Sequence, residues 1–333
     1  MKNITRLLLA FSFSFFSINS FSQTVALLRD WAVYAGETDS TFKTPILQEG
    51  DYSYIATNNV NPSTGVDIAV IKYDKDGHEV WKTVWSGTGN GRDQASDMVM
   101  DSLYLYVCGM TYTSSTNNLD FVTMKLAKSD GSISWRTLYN GSASGTDVAT
   151  AIAKGGFNVY VTGASNRNGT SVDYVTIKYD KATGTEQWVN SYDYASMMDV
   201  PFAIACYVDS GIVVTGGSQS SVYDWDYATI RYSVDGDTLD TIRVSGSAAG
   251  FDRALAVKTD DSSNVYITGT TYENGTDFDA KTVRINADGS IAWQYKIDLA
   301  GHDDQGNDLL VDQEHIMSTS VDRGNKTQRM GSL

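Results

Sequence analysis

Apolar and polar residues alternate along this chain in short runs, and each run is closed by Gly, Asn, Asp or Ser. The clearest stretch reads Ala149-Thr-Ala-Ile-Ala153, Asn158-Val-Tyr-Val-Thr-Gly163, Asp173-Tyr-Val-Thr-Ile-Lys-Tyr179 and Gln187-Trp-Val-Asn-Ser-Tyr192. Val, Ile, Thr and Tyr fill these runs, and such side chains suit a pleated, half-buried surface, so four strands, A to D, are predicted. No segment after residue 22 carries a convincing helical period, which makes the predicted class all-β.

The same four-strand pattern returns at a fixed interval. Strand C begins at Asp67, Asp120, Asp173, Asp226 and Asp279, a step of 53 residues each time. Four strands per repeat at this period is the arithmetic of a β-propeller blade. A sixth copy opens with Asn307–Val311, Ile316–Ser320 and Lys326–Met330 as A, B and C, and then stops. Near the other end, Trp31-Ala-Val-Tyr34 reads as a D strand, because Trp81, Trp135, Trp188 and Trp293 hold that place elsewhere. The expectation is a six-bladed β-propeller of four-stranded antiparallel blades, closed by the N-terminal strand completing the C-terminal blade, which leaves no sheet edge open.

Asn158–Gly163, Asp173–Asp180, Trp188 and Asp147 ahead of Ala151-Ile-Ala153 together resemble the SBBP-type β-propeller repeat of exported bacterial proteins. The likeness runs over nearly the whole chain after residue 22. It implies a propeller fold and export, and no settled biochemical activity. The fourth copy departs from it, with Leu239-Asp-Thr-Ile242 lacking the tryptophan, and the sixth has Asn325 near where Asp begins strand C elsewhere.

Export is also expected from residues 1–22. Lys2 and Arg6 precede the apolar run Leu7–Phe16, and Ser20 and Ser22 flank Phe21, the order of a secretory signal peptide cleaved before Gln23. The run is too short to span a membrane, and no later stretch approaches the roughly 20 apolar residues a span requires, so no membrane insertion is expected. A propeller domain over 23–333 follows, periplasmic or secreted and monomeric. The chain of 333 residues holds 40 acidic and 25 basic side chains, a formal charge of -15. Loss of Lys2 and Arg6 takes this to -17, which argues against nucleic acid as a partner. With 2 Cys and 3 His, a disulfide scaffold is excluded, and neither a metal centre nor a cofactor is expected. Cys108 and Cys206 are read as buried thiols. His302, beside Asp303 and Asp304, is the one histidine with adjacent carboxylates, but no Gly-x-Ser-x-Gly motif accompanies it.

The meander places B–C and D–A connections on one face, and A–B and C–D turns on the other. The C–D turns carry Asp-Gly pairs, as hairpins require. Asp74-Lys-Asp76-Gly77 and Asp235-Gly-Asp237 look like fragments of calcium loops but lack the full ligand run, and are read as turns. The B–C loops mix amides and hydroxyls with aromatics, so Tyr112, Tyr223, Trp225 and Tyr272 are candidate ligand contacts.

Two sets of charges repeat. Asp39, Asp93, Asp147, Asp199, Asp252 and Asp304 precede strand A in each copy. Such regularity reads as a structural cap for turn amides, although carboxylates at a channel mouth could also bind a cation or act on a sugar. Lys72, Lys125, Lys178, Arg231, Arg284 and Arg329 recur on strand C and read as inter-blade ion pairs with a repeated Asp. Asp97, Asp308 and Lys43 share one strand-A position where other copies have Ala151, Ala203 and Ala256; being irregular, Asp97 and Asp308 are further candidate binding residues. The expected function is a non-catalytic scaffold that recognises a protein or glycan through the long-loop face. The alternative is a polysaccharide hydrolase or lyase using Asp97 and Asp308. A quinoprotein-like or outer-membrane-assembly propeller, suggested by Lys181-Ala-Thr-Gly184 ahead of Trp188, fits less well, because those usually have eight blades.

Overall fold

The computed structural model describes residues 44–332, apart from residues 90 and 144 and segments 114–117, 168–170, 208–210, 274–276, 299–302, 313–315 and 323–326; beyond residue 312 only the backbone is described. The leader, the Trp31–Tyr34 strand, Asp39, Lys43, His302, His315, Asn325 and the Arg329 side chain lie outside the described residues.

The described chain is all β. It forms five four-stranded antiparallel sheets and a three-stranded one, each with its strands side by side in chain order. The first holds β1 (Ile46–Glu49), β2 (Tyr52–Asn61), β3 (Gly65–Tyr73) and β4 (Glu79–Trp85). The second holds β5 (Gln94–Met100), β6 (Tyr104–Tyr112), β7 (Leu119–Ala127) and β8 (Ile133–Tyr139). In the third are β9 (Asp147–Gly155), β10 (Asn158–Asn166), β11 (Val172–Asp180) and β12 (Glu186–Tyr192). The fourth has β13 (Asp199–Cys206), β14 (Gly211–Ser221), β15 (Asp224–Ser233) and β16 (Thr238–Val244). The fifth has β17 (Arg253–Thr259), β18 (Val265–Tyr272), β19 (Phe278–Ile285) and β20 (Ile291–Ile297), and the last has β21 (Asp304–Val311), β22 (Ile316–Asp322) and β23 (Thr327–Ser332).

The core lies in layers between consecutive sheets. Leu105, Val107, Val122 and Met124 of the second sheet meet Ala56, Ile68 and Val70 of the first. Tyr106 and Phe121, from the other face of the second sheet, meet Val159, Val161, Val175 and Ile177 of the third. Second and third strands are therefore buried on both faces, which explains their nearly continuous apolar runs. Fourth strands alternate half-buried with exposed positions, as in β8. First strands carry a register shift in five sheets, at 95/97, opposite Thr162/Gly163, and at 201/203, 254/256 and 306/308. One extra residue there bends the strand.

Four of the strand-C cations, Lys72, Lys125, Lys178 and Arg231, hold neighbouring sheets together by a different bond from the expected ion pair. Lys72 Nζ donates to the Lys128 carbonyl at 3.1 Å, Lys125 to Lys181 at 3.0 Å, Lys178 to Val234 at 2.7 Å, and Arg231 Nη1 to Ala287 at 2.8 Å. Each acceptor sits in the next sheet's C–D turn. The Trp81, Trp135 and Trp188 indoles donate to the first three of those carbonyls, at 3.2, 3.2 and 3.1 Å. The repeated Asp cannot serve, because Asp173 and Lys178 stand at opposite ends of β11, about 17 Å apart. The turn glycine completes the latch: Gly131 and Gly184 both have φ +75°, and a Cβ there would lie 2.5 Å from Trp81 and 2.7 Å from Trp135. In the fourth sheet Asp240 stands opposite Arg231, where Trp188 stands opposite Lys178. It accepts from Arg231 Nε at 2.8 Å, so the strand lacking its tryptophan is fastened by a charge pair.

Candidate functional site

Asp93, Asp147, Asp199, Asp252 and Asp304, at the starts of first strands, are buried, and the first four hold the connections that lead into those strands. Asp93 accepts from Gly87 N at 2.7 Å through Oδ2, and from Thr111 Oγ1 at 2.7 Å and Tyr112 N at 2.9 Å through Oδ1. Asp147 takes Gly141 N at 2.6 Å, Asp199 takes Tyr194 N at 2.8 Å, and Asp252 takes Gly246 N and Tyr272 N. The D–A connection is thereby tied to the end of the second strand. Burial pushes Asp199 and Asp252 up to about 6 and also raises Asp147.

Tyr112 and Tyr272 occupy equivalent places beside these clamps. Added Cβ atoms at Gly91 and Gly250 would each lie 2.3 Å from the Tyr112 and Tyr272 side chains, so both tyrosines are seated on D–A loop glycines. Trp225 and Tyr223 differ. Tyr223 is 78% exposed at the tip of the β14–β15 hairpin, beside Val222 at 63%. Trp225 bridges to Phe251, its backbone amide donating to the Gly250 carbonyl at 2.7 Å, and the two rings stack with centroids 6.0 Å apart and planes at 26°.

A cavity of about 200 Å³ opens next to this pair, lined by Phe251, Arg253, Thr270, Phe278, Asp303, Asp304 and Gln305. It lies where the fifth sheet meets the start of β21, on the long-loop face. Asp303 Oδ1 accepts the Phe278 amide at 3.2 Å, and Thr270 Oγ1 donates to the Asp304 carbonyl at 3.2 Å. An added Cβ on Gly217 would meet both the Trp225 ring and Arg253 Cβ, so the stacked pair reaches the cavity wall. Phe251, Arg253, Phe278 and Asp303 were not among the sequence candidates. Their signal was available as a departure from the repeat: Val66, Leu119 and Val172 precede Asp in other copies where Trp225 and Phe278 do here, and Gln94, Val148 and Val200 stand where Arg253 does.

Asp97 and Asp308 do share one register position, opposite Cys108 and Thr319, but they stand in sheets two and six. Asp97 accepts its neighbour's amide, Met98 N, at 2.8 Å and the next sheet's Ile152 N at 3.0 Å. Asp308 likewise accepts Leu309 N at 2.8 Å. Cys108 is buried and Cys206 half-buried, and both are free thiols. Carboxylates gather in two D–A corners: Asp173 with Asp193 and Asp199, and Asp279 with Asp298 and Asp304. In the second, Lys296 Nζ reaches Asp279 at 2.8 Å and Asp298 at 3.8 Å; in the first, Arg167 reaches Asp173 at 4.0 Å. Asp74, Asp76 and His78 cluster in the first C–D turn, where Asp74 accepts the amides of the other two at 2.9 Å.

Consecutive antiparallel meanders stacked through their first strands have counterparts among solved structures. A subtype N10 neuraminidase-like protein of A/little yellow-shouldered bat/Guatemala/060/2010 is similar over 87% of this chain and 92% of its own, at a TM-score of 0.51 and 9% identity. The fold is a β-propeller. Polysaccharide lyase Uly1 aligns over 92% of this chain and 85% of its own, with a TM-score of 0.49 and 8% identity, and YjhT over 89% and 95%, with 0.45 and 12%. At these identities the likeness extends to the fold alone. No protein-family model and no curated protein matches the sequence.

Proposed function

We propose that this chain is an exported, non-catalytic β-propeller of the SBBP type that binds a glycan in the cavity beside Phe251, on its long-loop face. The cavity carries the reading. Its wall joins two phenyl rings to one guanidinium, two carboxylates, Asp303 half-buried and Asp304 buried, the Thr270 hydroxyl and one amide, Gln305. A sugar presents an apolar C–H face to a ring and hydroxyls that both donate and accept, which is what such a mixed wall satisfies. A protein partner asks for a broad patch of about 800 Å² per side rather than a small concavity. Export is supported by the order of residues 1–22. Six blades and a closed ring are supported by the 53-residue period, by the three-stranded last sheet, and by Trp31-Ala-Val-Tyr34 as the matching fourth strand. On this reading the protein is a monomer that needs no metal or cofactor, enters no membrane and binds no nucleic acid.

A glycan array and a parallel pull-down, on wild type and on Arg253→Ala, test the proposal. Glycans are expected to be retained by wild type and weakened at least ~tenfold in the variant, the equivalent of ~1.4 kcal/mol. Capture of a protein with an empty array would replace the glycan by a protein partner. Turnover of a polysaccharide would favour the hydrolase or lyase alternative, although Asp97 and Asp308 are occupied by backbone amides and offer that chemistry no obvious pair.

A further inference from the structure

The cavity lies beside several exposed apolar side chains, tied to it through Trp225 and Gln219. From Phe251, 52% exposed, the stacked Trp225 leads to Gln219, its partner across β14 and β15. Gln219 Nε2 donates to the Val222 carbonyl at 3.1 Å, beside the projecting Tyr223. On its other side Gln219 N donates to the Met198 carbonyl at 2.9 Å, and Met198 and Tyr194 are each 40% exposed in the preceding D–A connection.

These aromatics are not demanded by the fold. The first sheet builds the same corner, with Val66 bridged to Arg92, Val66 N donating to Gly91 O at 3.1 Å and Asp93 N to Val66 O at 2.6 Å. Val66 and Arg92 serve there where Trp225 and Phe251 serve here. One backbone arrangement thus occurs with and without the aromatic pair, and of the two described corners the one carrying the pair is the one beside the cavity.

We infer that these side chains form the track of an uncharged polysaccharide chain, one sugar of which is anchored in the cavity while its neighbours lie over Phe251, Trp225 and Tyr223. The inference rests on the glycan reading and specifies its ligand as a polymer. Size supports a chain: about 200 Å³ falls below the ~300–1,000 Å³ of pockets that enclose a whole ligand, so the rest of a ligand must lie outside. Charge supports a neutral one, because Arg253 shares the cavity wall with Asp303 and Asp304 on a chain of formal charge -15. Planar side chains interleaved with Gln219 and Ser220 suit sugar rings that alternate apolar faces with hydroxyl edges.

Affinity electrophoresis against soluble glucans, mannans, xylans and galactans, with a polyuronate beside them, identifies a retained polymer. Calorimetry with its oligomers of one to six sugars then reads the track. Wild type is expected to gain on the order of tenfold in affinity with length. Tyr223→Ala, which removes an exposed ring at the hairpin tip, should flatten that gain while binding of the single sugar persists, and Trp225→Val, which copies the first sheet's corner, should flatten it as well. Length-independent affinity, retention of the polyuronate alone, or a gain that survives both variants would overturn the track and leave the cavity reading standing. Loss of single-sugar and polymer binding alike from wild type would overturn both.

Discussion

Asp199 and Asp252 are wholly buried, and each still accepts loop amides as a carboxylate should. Burial dominates and lifts both to about 6, helped for Asp199 by the neighbouring Asp173 and Asp193. Against an unfolded value of ~3.9, the folded chain holds more protons through the interval between them. Stability should therefore fall as pH rises from about 4 to about 6, by roughly 2–3 kcal/mol for each carboxylate. Glu273 runs the other way: burial would raise it, but hydrogen bonds from Ser247, Lys281 and Thr271 outweigh burial and hold it at about 2, so its contribution is complete only above the unfolded glutamate value of ~4.3 and offsets the start of the decline. Urea denaturation across that interval should show the decline, and Asp199→Asn, which keeps an acceptor for Tyr194 N, should remove its share. A slope unchanged by the substitution would mean that Asp199 is ionised throughout. The regularity of these aspartates was legible in the sequence, and so was their capping role. Their strained ionisation was not, because it depends on how completely the D–A loop covers them.

Periodicity alone decides where strands form, whereas the partner of a side chain depends on packing between sheets. The runs read as A to D in the third copy are β9 to β12, and the fourth strand of the fourth sheet forms despite its missing tryptophan. The repeated cation was visible, but its carbonyl acceptor was not, since every residue has a carbonyl and only packing selects one. Asp240 makes the rule testable. Asp240→Ala leaves Arg231, with 7% of its side chain exposed, without its carboxylate. The cost should be about 2–3 kcal/mol, somewhat under the ~3–5 kcal/mol for a fully buried pair, because Asp240 is partly exposed. The double change Arg231→Lys with Asp240→Trp rebuilds the latch of the other sheets and should return stability to within about 1 kcal/mol of wild type, a coupling read by a double-mutant cycle. If the double variant is no better than the sum of its parts, the latch is not the interchangeable unit that the repeat implies.

For the whole molecule, the period of 53 residues anticipated one antiparallel meander per copy, with strands side by side in chain order, as the five four-stranded sheets show. The cavity was less legible: it exists where copies differ, and what repeats does not mark Phe251, Arg253 and Phe278. Closure is the property that no single sheet can report. The last sheet ends on β23 with three strands, while the fifth sheet presents Arg284 opposite Trp293, the latch pair that elsewhere reaches the following sheet's C–D turn. If Trp31-Ala-Val-Tyr34 completes that last sheet, its removal opens a ladder edge and separates the first sheet from the last. A chain beginning at Glu37 should then unfold at markedly lower denaturant than one beginning at Gln23, and should associate through the bare edge as its concentration rises. Equilibrium denaturation and sedimentation of the two forms read these effects separately. Equal midpoints and equal mass would show that the ring closes without the N-terminal segment, and the sixth blade would have to find its outer strand elsewhere.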